Sequence, residues 1–147
     1  MKSSRAGTRM VLIDELTKVS RKLRTTFDAR VKANGLTMAR ARTLLRLLRK
    51  DGMTQTELAD ELEIEGPTLV RLLDNLETQG LIERRPVAGD RRAKQIALTS
   101  TGRVQANLVS RLADDLREQV LIDVTEEDLQ AAIQVFHAMS RNIENAS

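Results

Sequence analysis

Between Arg9 and Lys32 the apolar residues Leu12, Leu16, Val19, Leu23, Phe27 and Val31 recur at intervals of three and four, and the other face is heavily basic. That period predicts one apolar stripe along a helix of about six turns. Asn34-Gly35 supplies its stop. Thr37 then suits the N-cap of a second helix that ends near Lys50, with Asp51-Gly52 as the turn. Leu44, Leu45, Leu47 and Leu48 make this helix apolar around much of its circumference, which places it in the middle of a lobe. Thr54-Gln55-Thr56-Glu57 has the form of a capping box opening a short helix with Leu58, Ala59 and Leu62 inward. Pro67 opens the next helix, because its missing N–H would be unbonded in a first turn anyway. That helix runs to about Gln79, with Gly80 as its stop. Leu69, Leu72, Leu73 and Leu76 share one side; Thr68, Val70, Arg71, Asp74 and Asn75 lie mostly on the other. Two short helices joined by a tight turn give a helix-turn-helix outline.

The period then changes to two. Strands are predicted at 81–86 and 92–98, with Gly89-Asp90 at the tip of a hairpin and Ile96 and Leu98 facing inward. Thr99 caps a fifth helix carrying Val104, Leu108, Leu112 and Leu116. Thr125 to Asp128 opens a sixth, with Leu129, Ala132, Ile133, Phe136, Met139 and Ile143. The predicted fold is mainly α with a small β-hairpin. The apolar stripes of the terminal helices exceed what the middle lobe, 36–99, can bury. The economical solution is a homodimer in which a helical region built from 1–35 and 100–147 interdigitates between two chains. Leu12, Leu16, Val19, Leu23, Leu129, Ile133, Phe136, Met139 and Ile143 are the candidate contact residues.

Composition narrows the function. Phe27 and Phe136 are the only aromatics, so the core is aliphatic. The chain has no cysteine, which excludes disulfides, thiolate metal sites and thiol redox sensing within it. No apolar run approaches the ~20 residues of a membrane span, and the N-terminus lacks a signal-peptide pattern, so a cytoplasmic protein without membrane contact is expected. An enzyme is a poor match. His137 is the single histidine and sits among apolar residues of the last helix. There is no glycine-rich phosphate loop, nucleophile elbow or metal-ligand cluster, and Glu57, Asp60, Glu61 and Glu63 form a helix face. No catalytic residue, metal or cofactor is expected.

Charge adds a direction. The net charge of +3 conceals 14 Lys/Arg against 3 Asp/Glu in residues 1–50, and 10 against 18 in the remainder. Within that acidic remainder, Arg84, Arg85, Arg91, Arg92 and Lys94 crowd around a single acid, Asp90. A basic island in acidic surroundings suits an anionic partner such as nucleic acid, although a solvated charged turn fits the charge equally well. Geometry favours duplex DNA. A helix fits the major groove, and a ribbon beside it reaches phosphates or the minor groove. Cations on the ribbon gain affinity by releasing counterions, and a tip arginine is attracted into a narrow minor groove. The proline-led helix start and the Thr54-Gln55 start of the preceding helix could both face phosphate.

Bland alternatives stay open. Arg71 could pair with Asp74 or Glu77, Val70 could be core, Thr54 could be only a cap, and Arg40, Arg42, Arg46, Arg49 and Lys50 could be a solvated face. An all-helical dimeric adaptor that binds another protein explains the terminal helices but leaves the hairpin cations without a purpose.

The segment IEGPTLVRLLDNLETQGLIERR, followed by GDRRAKQIALT, closely resembles the MarR family of bacterial winged helix-turn-helix regulators, most nearly its SlyA-like branch. The resemblance is detailed from about Leu36 to Thr101, and the flanking helices agree in order and length. Asp90-Arg91-Arg92 followed by Leu98-Thr99 is its most specific element. The resemblance implies a homodimer joined through its first and last helices that binds a pseudo-palindromic operator. It implies that Arg92 reaches the minor groove and that Asp90 holds it. Arg71 would serve the major groove, and Pro67, Thr68 and Val70 the groove-facing helix start. Arg84 would be a basic position at the base of the wing, with Arg85, Arg91 and Lys94 as accompanying cations. It also implies a small anionic or phenolic effector where the terminal helices meet the winged lobe, though this chain lacks the aromatic lining some members use.

Overall fold

The computed structural model describes residues 4–147. It contains α1 (Arg5–Ala33), α2 (Met38–Arg49), β1 (Met53–Thr54), α3 (Gln55–Leu62), α4 (Gly66–Thr78), β2 (Ile82–Val87), β3 (Asp90–Leu98), α5 (Ser100–Val120) and α6 (Glu126–Ala146). The chain forms two compact units that divide after Asp114, within α5.

Threonine hydroxyls start four of the helices. Thr37 Oγ1 accepts the Arg40 amide at 3.3 Å, Thr54 Oγ1 that of Glu57 at 3.2 Å, Thr99 Oγ1 that of Gly102 at 3.0 Å and Thr125 Oγ1 that of Asp128 at 3.2 Å. Each satisfies an amide that has no carbonyl partner inside its own helix. The carboxylate arm expected of a capping box at Thr54 turns elsewhere: Glu57 lies 3.5 Å from Nζ of Lys50, the residue that ends α2. Helix α1 begins earlier than its apolar stripe, because Ser4 Oγ accepts the Gly7 amide at 3.1 Å. Two helices end through a left-handed glycine. Gly35 (φ +77°) follows α1 and Gly80 (φ +73°) follows α4. In the second case the Leu81 amide donates to Leu76 O at 2.9 Å, which turns the chain directly into the hairpin.

The sheet is antiparallel with order β1-β3-β2. Strand β1 adds a third member to the predicted hairpin, pairing Met53 with Ile96 and Thr54 with Gln95. A two-residue strand has no period to read, and only its tertiary partner makes it a strand. The loop is Ala88-Gly89, with Val87 opposite Asp90, so the tip sits one residue earlier than the predicted Gly89-Asp90. Gly89 supplies the positive φ of +82° that this tight loop needs. Pro86 is accommodated because β2 is an edge strand, and the pairing slips between Pro86 and Val87.

The winged lobe closes over an aliphatic core in which Leu44, Leu58, Leu69, Leu73, Leu76 and Ile96 are fully buried. A smaller cluster of Val31, Leu36, Ala41 and Val109, with Phe27 against it, fixes the end of α1 to α2 and to the first half of α5. Farther toward its N-terminus the α1 stripe emerges: Leu12, Val19 and Leu23 are exposed and Leu16 is half-buried.

Gly102 carries a constraint that its ordinary helical position does not announce. A Cβ there would stand 1.8 Å from the Leu81 carbonyl oxygen. The start of α5 therefore lies directly on the turn that follows α4, where the Thr99 amide also donates to Leu81 O at 3.1 Å and the Thr99 hydroxyl to Gly80 O at 2.5 Å.

Gly102→Ala is expected to destabilise the fold by about 3 kcal/mol, since backbone rather than a flexible side chain must move. Gly66→Ala, where a Cβ meets nothing within 4 Å, is expected to be neutral or slightly stabilising. Urea unfolding midpoints of the two variants check the contrast, and equal midpoints would remove the proposed close approach.

Candidate nucleic-acid interface

Helix α4 is split lengthwise by its packing. Leu69, Leu73 and Leu76 are buried against the core, so Pro67, Thr68, Val70, Arg71, Asp74 and Asn75 are turned outward. Val70 is 36% exposed, which removes it from the core and leaves its methyls available on the outer face. At the N-terminus Glu65 makes no side-chain cap, and Pro67 stands in the first turn. That helix end presents a partial positive charge to the solvent beside Thr68.

The hairpin stands beside this helix and its cations fall into two groups. Arg84 and Arg85 are paired. Arg84 Nη2 lies 2.7 Å from Asp74 Oδ1, and its Nη1 lies 3.0 Å from Glu77 Oε1. Arg85 turns to Glu83, with its Nε donating at 2.8 Å. Arg91, Arg92 and Lys94 are exposed on β3 and have no ion pair among the described residues. Strand alternation puts Arg92 and Lys94 on the same face as Ile96, continuing outward from the core edge, and Arg91 on the opposite face.

Arg84 also resolves one of the open alternatives. Because it occupies both Asp74 and Glu77, the local pair that could have absorbed Arg71 is not formed. Arg71 is exposed and carries no ion pair among the described residues. At the wing tip Asp90 Oδ1 accepts the backbone amide of Arg92 at 2.9 Å. The acid thus holds the backbone at Arg92 rather than its guanidinium, and the arginine side chain is left to extend.

Thr54 and Gln55 are half-buried at the start of α3. The Thr54 hydroxyl is the cap of that helix, as its bond to the Glu57 amide shows. The basic face of α2 is partly spent on α3: Arg46 lies 3.6 Å from Glu61, alongside the Lys50–Glu57 pair. Such exposed pairs contribute only about 0–1 kcal/mol each.

On the terminal helices, no residue of α6 is buried. Ile133, Phe136 and Ile143 are exposed, and Leu129 and Met139 are half-buried. Along α1 an open groove of about 380 Å³ is lined by Lys18, Arg21, Lys22, Thr25 and Thr26. Three cations and two hydroxyls suit an anion, and no aromatic ring lines it. Among the described residues no group of three or more His, Cys, Asp or Glu is placed to hold a metal ion. No described helix is long and apolar enough to cross a membrane.

Sequence reasoning had not separated the paired cations from the unpaired ones. Five basic residues around one acid look alike in one dimension; the packing of β2 against α4 gives Arg84 its two partners, and Arg85 turns to Glu83 on its own strand.

Comparison with known proteins agrees with this arrangement. Residues 34–93 match the sequence model of the MarR family. A crystal structure of the transcriptional regulator PA3341 is 41% identical, covering 91% of this chain and 98% of its own, with a TM-score of 0.81. The S. aureus MepR–DNA complex is 27% identical over 87% of this chain and 94% of its own, with a TM-score of 0.74. S. aureus MarR in complex with salicylate and kanamycin is 17% identical over 95% of each chain, with a TM-score of 0.81, a likeness of fold alone. With the helix-turn-helix, the hairpin wing and the terminal helices in the same order as in these structures, and with 41% identity over most of its length, this chain belongs to the MarR family of winged helix-turn-helix DNA-binding transcriptional regulators.

Proposed function

We propose that the protein acts as a cytoplasmic homodimer that binds a pseudo-palindromic operator in double-stranded DNA. In each subunit the outer face of α4 lies in the major groove and Arg92 enters the adjacent minor groove. One observation carries this reading. The cations facing outward from α4 and the wing, Arg71, Arg91, Arg92 and Lys94, have no ion pair among the described residues, while the acids beside them are occupied by Arg84. Unpaired guanidinium and ammonium groups on adjoining elements suit phosphates and base edges. MepR, a solved relative at 27% identity, is found with DNA.

Each residue takes a role from its position. Arg71 and Thr68 read base edges, and Val70 offers methyl contact to thymine. Pro67 shapes the helix start. Arg91 and Lys94 meet phosphate, Arg92 reads the minor groove, and Asp90 fixes the backbone from which Arg92 extends. Thr54 and Gln55 place the start of α3 against the phosphate backbone. Arg85, shared with Glu83, contributes less positive field than the unpaired three.

Dimerisation is assigned to 1–35 and 100–147, and DNA binding to 36–99. Support comes from the terminal stripes: Leu12, Val19, Leu23, Ile133, Phe136 and Ile143 are exposed in the single chain, and a second copy would cover them. The SlyA-like branch is proposed from the residues running from Ile64 to Arg85 and Gly89 to Thr99. A small anionic or phenolic effector is proposed for the cationic groove of α1.

Arg92→Ala is expected to weaken operator binding by about 1–3 kcal/mol while leaving the dimer intact. Gel shifts at physiological salt, beside sedimentation of the free protein, check this; unchanged affinity would reject the minor-groove role. Footprinting is expected to show two protected half-sites about one turn, ~10 bp, apart on one face of the duplex. A single protected half-site would count against the dimer. Ile133→Glu combined with Phe136→Glu is expected to give monomers that bind operator at least ~100-fold more weakly, because one half-site's contacts are lost. A dimer by sedimentation in that variant would place the interface elsewhere.

A further inference from the structure

Arg84 stands on β2 directly opposite Ile96 and so shares the face of the sheet that turns toward the core. Its side chain is only 19% exposed. Its two Nη atoms go to two different carboxylates, Asp74 and Glu77, which lie three residues apart on one face of α4. Among the described residues these are the only ion pairs that join the wing to that helix. Two residues farther along β2 its pairing to β3 slips, between Pro86 and Val87.

We propose that Arg84 is a positioning residue: through Asp74 and Glu77 it holds the wing at a set angle to the recognition helix and keeps both acids away from Arg71 and from the phosphates. The inference rests on the DNA-binding reading above and adds to it a division of labour among the wing cations. A guanidinium shared between two carboxylates has its charge offset by both of them, so it offers phosphate little attraction unless it abandons them. A lysine cannot replace it, because one ammonium point charge does not match two carboxylates held apart on neighbouring turns. The acids explain the need. Asp74 lies on the exposed face beside Arg71, and left unpaired it would draw Arg71 onto its own helix and repel DNA.

The test uses the full chain and two kinds of measurement. Without DNA, amide hydrogen exchange is followed across residues 82–98 in wild type, Arg84→Gln and Arg84→Lys. Faster exchange in the hairpin of both variants, with β1 and α3 unchanged, is expected. With DNA, affinity for a duplex selected by wild type from a random pool, and for an unselected duplex, is measured against salt. Arg84→Gln and Arg84→Lys are expected to lower the ratio of selected to unselected affinity about tenfold with no change of salt slope. Arg91→Gln, the reference for a phosphate contact, should lower the slope by about 0.9. Asp74→Asn combined with Glu77→Gln removes the same clamp without touching Arg84. It is expected to raise affinity for the unselected duplex, because two negative charges are gone, and still to lower the ratio. A reduced slope with an unchanged ratio in Arg84→Gln would show Arg84 on phosphate and overturn the proposal, as would unchanged hairpin exchange. If wild type binds no duplex at all, the DNA-binding reading fails, and the exchange measurement alone decides whether the clamp exists.

Discussion

The close contact between the Leu81 carbonyl and the start of α5 governs the geometry of the whole winged lobe. Leu81 lies in the turn that follows α4, one residue before β2. Thr99 follows β3 and caps α5. Their hydrogen bond, the Thr99 hydroxyl on Gly80 O and the bare Cα of Gly102 bring four chain segments to one point. The recognition helix, both ends of the wing and the fifth helix therefore cannot move independently near this junction. A signal arriving along α5 would meet the base of the wing and the end of α4 together.

Outward from that junction, control passes from packing to charge. The inner half of the hairpin is fixed by Ile82, Ile96 and Leu98 in the core. At the outer edge of that core, opposite Ile96, Arg84 reaches Asp74 and Glu77 of α4. The result is a surface sorted into paired and unpaired cations. Net charge at the wing matters less than which cations have already found a carboxylate, because a neutralised guanidinium offers phosphate little field. The placement of Asp90 follows the same logic: its carboxylate binds the Arg92 amide and leaves the arginine head free.

The terminal helices pose the opposite problem. Phe27 and Val31 find cover against α2 and α5, but the same stripe farther along α1 does not, and α6 buries nothing. Exposed apolar residues scattered singly need no explanation, whereas a contiguous stripe on two helices does. In a family of winged regulators a second copy is the simplest cover, and it would also set the distance between two recognition helices.

Much of this was legible in one dimension. The 3.6 period of the leucines, the threonines at Thr37, Thr54, Thr99 and Thr125, and the glycines at Gly35 and Gly80 determine where helices begin, end and turn their apolar sides. These are local effects: a cap or a left-handed glycine acts within one turn, so the neighbouring residues suffice to predict it. The hairpin was equally visible, to within one residue at its tip. What only the tertiary structure decided was every relation between distant residues. Strand β1 exists because Met53 and Thr54 meet Ile96 and Gln95. Gly102 is required because Leu81 comes within a carbon's width of it. Arg84 is spent and Arg71 is free because strand register delivers one guanidinium to two acids of another helix. Such facts depend on separations in space that no periodicity along the chain encodes, and here they determine which positive charges remain for a partner.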